Sequence, residues 1–174
     1  MTDLATTQGT DNTGAPDDPL ARMILDLEAR DQAAELRTML TLVPDKWGGK
    51  GGRRISANDR PHYHAKAKKT AYWRELAGWS GLEAQNLPRD LELAKGRPAL
   101  FSSGRVVVVF RFPNRAQIKE VSNLQPTIKA IVDGLVDARI FPDDSDSIVW
   151  GQDARRDPEL GPYRALVLVY GDPS

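Results

Sequence analysis

Residues 105–112 read RVVVVFRF, a run of β-branched and aromatic side chains that is apolar almost throughout. A strand with no polar face to offer water belongs in the middle of a sheet covered on both sides. Downstream, residues 123–138 carry Leu124, Ile128, Ile131, Val132, Leu135 and Val136 at helical spacing, which predicts an amphipathic helix. Residues 147–150 and 164–170, the latter RALVLVY, read as two further strands. Upstream, residues 64–79 bring Tyr72, Trp73, Leu76 and Trp79 to helical spacing, and these read as core residues rather than as base-stacking ones. Between them, residues 87–103 hold Pro88, Gly96, Pro98 and a Ser-Ser-Gly stop, a short helical turn followed by a loop. The order helix, helix, strand, helix, strand, strand predicts a mixed α/β (α+β) domain built on a small sheet.

Residues 1–18 are rich in Thr, Asp, Gly and Pro and have almost no large apolar side chains, so an acidic disordered arm is expected. After it, Leu20, Met23, Ile24, Leu27, Ala33, Leu36, Met39 and Leu40 recur at three- and four-residue steps. With Asp17 or Asp18 and Pro19 as its start, one amphipathic helix is expected over residues 19–42. It can pack on its own domain, pair across a dimer, or bind a protein partner. The expected organisation is therefore an arm (1–18), an extra helix (19–42) and one domain (43–174), which suits 174 residues that are 40% hydrophobic.

The chain has no cysteine, which excludes disulfides, a thiolate zinc site and a catalytic thiol. No stretch approaches the roughly 18 continuous apolar residues needed to cross a bilayer, and no leader pattern opens the chain, so a cytoplasmic protein with no membrane association is expected. The formal net charge is zero, which by itself argues against a nucleic-acid binder. Its distribution argues otherwise. Residues 1–36 carry eight acidic side chains against two basic ones, whereas residues 46–69 set Lys46, Lys50, Arg53, Arg54, Arg60, Lys66, Lys68 and Lys69 against Asp59 alone. The glycine-rich run KWGGKGGRR (46–54) can follow a phosphate backbone or remain a solvated basic loop. His62 and His64 form an H-x-H pair whose lysine neighbours suit DNA contact or plain exposure better than metal ligation.

Residues 120–144 read EVSNLQPTIKAIVDGLVDARIFPDD. This segment resembles the RusA family of Holliday junction resolvases, whose signature runs D-x-D-N-L, then K-A-x-x-D-A-L, then a pair of aspartates. Asn123-Leu124 matches the N-L step, Lys129-Ala130 with Asp133-Gly134-Leu135 matches the second block, and Asp143-Asp144 matches the closing pair. Pro126-Thr127-Ile128 stands as an insertion before the lysine relative to the shortest form of the motif. Upstream, Asn58-Asp59-Arg60, His62, the Lys66–Lys69 cluster and Tyr72-Trp73-Arg74-Glu75 resemble the family's opening N-x-R loop and first helix. The resemblance spans about residues 55–170.

It implies a RusA-like fold, a small mixed sheet with packed helices, assembled as a homodimer and preceded here by an extra N-terminal helix. It further implies a protein of DNA recombination and repair, of a kind found in phages and prophages, that binds branched DNA (the four-way junction) and hydrolyses phosphodiesters with magnesium, or manganese in its place. Magnesium prefers hard oxygen ligands and uses them to activate water against a phosphate. By the resemblance the catalytic set would be Glu120, Asp144 and Lys129. The metal would be held by Glu120 and Asp144 with Asp143 or Asp133 in support, and Lys129 would neutralise developing phosphate charge. DNA would be met by Lys50, Arg53, Arg54, Asn58, Arg60, Lys66, Lys68 and Lys69.

The pattern departs from the family at two places. The family's first aspartate is Glu120, one methylene longer, which shifts a ligand by about an ångström. Its second aspartate is Ser122, which removes a ligand charge, although Asp146 lies just past the closing pair. Ser-Asn-Leu-Gln is also a capping box, with Ser122 as N-cap and Gln125 reaching back, so the helix start has a reason to exist without metal. Three readings stay open: a working junction endonuclease; a descendant with weakened or lost cleavage that binds DNA or protein; and an unrelated α/β protein in which the matches are coincidental.

Overall fold

The computed structural model describes residues 18–30, 36–46, 52–58, 62–114 and 120–173. In chain order these form α1 (Pro19–Arg30), β1 (Leu36–Leu42), α2 (Tyr63–Ala84), β2 (Phe101–Phe112), α3 (Gln125–Asp137), β3 (Val149–Leu160) and β4 (Arg164–Pro173). Short 3-10 turns precede β2 at Leu91–Ala94 and α3 at Val121–Leu124. The strands form one mixed sheet in the order β1-β4-β2-β3, with β2 parallel to β3 and the other two pairings antiparallel.

The apolar run of β2 is explained by two packed faces. Val106, Val108, Phe110 and Phe112 point toward the main core with Trp73 and Ala77 of α2 and Ile128, Ile131 and Leu135 of α3. Val107 and Val109 point the other way, with Leu166, Leu168 and Tyr170 of β4, and α1 covers them with Leu20, Met23 and Ile24. Each such valine contributes about 1.5–3 kcal/mol through burial. The helix at residue 19 thus packs on its own domain.

The expectation of one helix over residues 19–42 is corrected: α1 ends at Arg30, and Leu36–Leu42 is the edge strand β1. The three- and four-residue steps through Leu36, Met39 and Leu40 fit a helix, but the open edge of β4 supplies ladder hydrogen bonds that an isolated helix end lacks. A bulge between Leu36 and Thr38 reverses the alternation. It sends Leu36 to the α1 face while Leu40 and Leu42 enter the main core. The sheet therefore begins upstream of residue 43, and the expected boundary there falls just past a core strand. The arm at residues 1–17 lies outside the described residues.

The strand expected at 147–150 is also longer, running Val149–Leu160. Its polar sequence fits a strand because β2 supplies charged partners: Arg105 pairs with Asp153, and Arg111 with Asp157 and Glu159. Pro158 is tolerated on this edge, where no outer neighbour needs its missing N–H.

Candidate functional site

The start of α3 is held by a segment far upstream. The Ala57 N–H donates to the Asn123 carbonyl at 2.7 Å. Buried Thr127 uses its hydroxyl twice, donating to the Ile55 carbonyl (2.7 Å) and accepting from the Ile55 N–H (3.2 Å). On the other side, the Trp73 indole N–H donates to the Arg53 carbonyl at 2.9 Å, and Lys69 Nζ to the Arg54 carbonyl at 3.0 Å. Residues 52–58 are therefore fixed between α2 and α3, beside the turn that carries Glu120 and Ser122.

The expected capping box does not form. The 3-10 turn starts at Val121, so Glu120 takes the N-cap place and Ser122 lies inside the turn, exposed. Leu124 precedes α3 without a side-chain cap, and the Gln125 amide donates to the Gln152 carbonyl at 3.3 Å instead of reaching back. Pro126 sits in the first turn of α3, where its missing N–H leaves no bond unmade.

Along α3, Lys129, Asp133 and Asp137 follow at four-residue steps and share one face. Lys129 Nζ donates to Asp144 Oδ2 at 2.7 Å and lies 3.6 Å from Asp133 Oδ1. Arg74 of α2 grips Asp137 with two N–H groups, the Nη2–Oδ1 bond measuring 2.7 Å. The hydrogen bond with Asp144 raises the Lys129 ammonium above its ordinary value, and the same bond lowers the Asp144 carboxyl. Arg74 is likewise raised, first by its bond to Asp137 and further by the charges of Asp133 and Asp144. The result is a ladder of alternating charge, Asp144–Lys129–Asp133–Arg74–Asp137, on the surface of α2 and α3.

Two residues assigned to one site by the resemblance, Lys129 and Asp144, are thus brought together. Glu120 is not part of that contact; its Oε2 accepts from the Asn123 amide at 3.4 Å. Asp143 turns its Oδ1 to the Ser145 N–H at 3.0 Å. Among the described residues no three Asp, Glu or His side chains gather so as to hold a metal ion, and this includes Glu120, Asp143 and Asp144. Of the implied ligands, Asp144 is engaged by the Lys129 ammonium and Asp143 by the Ser145 N–H.

The expected DNA contacts divide. Lys50 and Arg60 lie outside the described residues. Arg53 is committed within the fold: it forks onto Asp45 with Nε and Nη2 at 3.0 Å, and its guanidinium lies 4.4 Å from the Tyr72 ring centre. Lys69 is spent on the Arg54 carbonyl, and Arg54 itself is half-buried. Asn58 sits in an exposed turn whose N–H donates to Ser56 Oγ at 3.3 Å. Lys66 and Lys68 are exposed and, among the described residues, have no ion-pair partner.

Sequence reasoning missed Asp45, Tyr72 as its hydroxyl partner, and the Arg74–Asp137 pair. Their signal was weak: a lone aspartate before a glycine-rich run, and an arginine inside an aromatic helix. No family model matches this chain, and no curated protein matches it either.

Proposed function

We propose that this chain is a RusA-like protein that binds branched DNA, four-way junctions above all, and that binding rather than cleavage is its principal activity. The observation that carries the reading is the 2.7 Å contact of Lys129 with Asp144, two signature positions far apart in sequence that share one exposed surface. The bond from the Ala57 N–H to the Asn123 carbonyl adds support by joining the residue before Asn58 to the turn that carries the N-L step. A homodimer would repeat the surface across a two-fold axis, matching the symmetry of a four-way junction.

A second reading, cleavage with magnesium or manganese, is favoured by one observation: two carboxylates, Asp133 and Asp144, flank the lysine on which a phosphate would compete. The deciding experiment presents a synthetic four-way junction with magnesium or manganese to the unaltered protein, Ser122→Asp and Asp144→Asn, scoring binding and nicking separately. Binding without nicks, with nicking gained only in Ser122→Asp, is the expected result. Paired symmetric nicks by the unaltered protein, lost in Asp144→Asn, would establish the second reading. No binding in any variant would overturn both.

A further inference from the structure

The first two turns of α2 leave the body of the protein. Residues 63–68 are all exposed, and the first half-buried side chain is Lys69, roughly 9 Å along the helix axis from Tyr63. The turns hold without packing because Ala65, Lys66, Ala67 and Lys68 are strong helix formers. Tyr63 is 77% exposed, the most exposed large apolar side chain among the described residues. A single exposed aromatic is ordinary on a protein surface. This one belongs to a group: the His64 ring lies edge-on to Tyr63 at 5.6 Å, and His62 stacks on His64 at 5.3 Å with 27° between planes. Lys66 and Lys68 stand one turn behind, no acidic residue occupies the first turn, and no side chain caps it. Positive charge around an uncovered aromatic cluster complements one chemistry in particular, a polyanion that exposes flat π-faces.

We infer that Tyr63, steadied by the His62–His64 pair, stacks on a base left unpaired or unstacked at a DNA branch, while Lys66 and Lys68 meet the flanking phosphates. This rests on the DNA-binding reading above and deepens it, because it names what distinguishes a branch from a linear duplex: bases with an open face. Phosphate contacts by the lysines carry no such distinction. Tyr63 is thus the specificity-determining residue, and the lysines supply affinity for any DNA.

The test measures binding of the full chain to a four-way junction carrying 2-aminopurine at the branch and to a linear duplex of equal length, across a salt series. Tyr63→Ala is expected to weaken junction binding about tenfold, leave duplex binding and the salt slope unchanged, and abolish the 2-aminopurine change. Tyr63→Phe, which keeps the ring, is expected to restore all three. Lys66→Gln with Lys68→Gln is expected to weaken both probes alike and to flatten the salt slope by about 2. Because Tyr63 is largely exposed, its loss is expected to leave the fold intact, which circular dichroism checks. If Tyr63→Ala weakens both probes equally, or neither, the inference fails while the DNA-binding reading stands. If the unaltered protein binds neither probe, that reading fails and takes the inference with it.

Discussion

Lys129 and Asp144 stand fifteen residues apart in sequence and 2.7 Å apart in space, so the cation that would meet a phosphate is already met by a carboxylate. The lysine side chain is 64% exposed, and a pair in that setting stabilises the fold by little. Its consequence is for binding. Asp144→Asn is expected to tighten junction binding several-fold by releasing the ammonium, while Lys129→Gln weakens it and reduces the salt slope by about 1. Fluorescence anisotropy across a salt series measures both; equal affinities in all three proteins would remove Lys129 from the DNA surface.

Asp157 illustrates the opposite setting, a carboxylate with no exposed side-chain surface. Burial alone would push its carboxyl up, but hydrogen bonds from Arg111, the Glu159 N–H and Arg164 outweigh burial and hold it below its ordinary value. The contribution is therefore present at neutral pH and is lost as pH falls below the ordinary carboxylate range, through the lowered folded value. Asp157→Ala removes the buried carboxylate shared by Arg111 and Arg164, leaving Arg111 with Glu159, and is expected to cost about 3 kcal/mol in urea unfolding. Asp153→Ala, which removes a carboxylate that is 35% exposed rather than fully buried, is expected to cost far less.

These pairs also explain what the sequence could not reveal. The central strands β2 and β4 and the helix α3 were legible because burial on a fixed face writes its period into the chain. Edge strand β3 was legible only at its start, since the rest, GQDARRDPE, is polar and finds its partners in Arg105 and Arg111, forty-six to forty-eight residues upstream. Edge strand β1 was misread because one bulged residue near Arg37 breaks the two-residue period and leaves a helical one. The contact of Lys129 with Asp144 joins residues fifteen apart with no periodicity between them, and the grip of Arg74 on Asp137 likewise had no local signal.

Asp45 joins the glycine-rich run to α2. Hydrogen bonds from Arg53 hold its carboxyl at about 2, against an ordinary 3.8. Since the folded value lies below the ordinary one, the clasp is at full strength above 3.8 and fades as pH falls through about 2. Arg53→Lys keeps the charge but loses the two-pronged geometry, so the Asp45 midpoint is expected to move back toward 3.8 in a carboxyl-detected NMR titration. A midpoint unmoved by that substitution would show that charge alone, and not the fork, sets the value.

Gly134 lies where α3 packs against α2, and that packing gives the reason for a residue without a side chain. A Cβ at this position would lie 2.1 Å from the Arg74 carbonyl oxygen and 2.9 Å from the Ala77 Cβ. On an open helix, Gly→Ala gains about 1 kcal/mol from backbone entropy. Here the methyl meets backbone of a helix anchored by buried Trp73 and Ala77, and overpacking of that kind costs about 1–3 kcal/mol or more. The clash outweighs the propensity, so Gly134→Ala is expected to lower stability in urea unfolding, and to loosen the Arg74–Asp137 grip as the helices part. Gly81→Ala provides the comparison, because its Cβ would meet the Ala138 side chain at 2.8 Å rather than backbone, and is expected to cost less. A stabilising Gly134→Ala would mean that α2 and α3 cross farther apart than described, and that the charge ladder along their surface is not continuous.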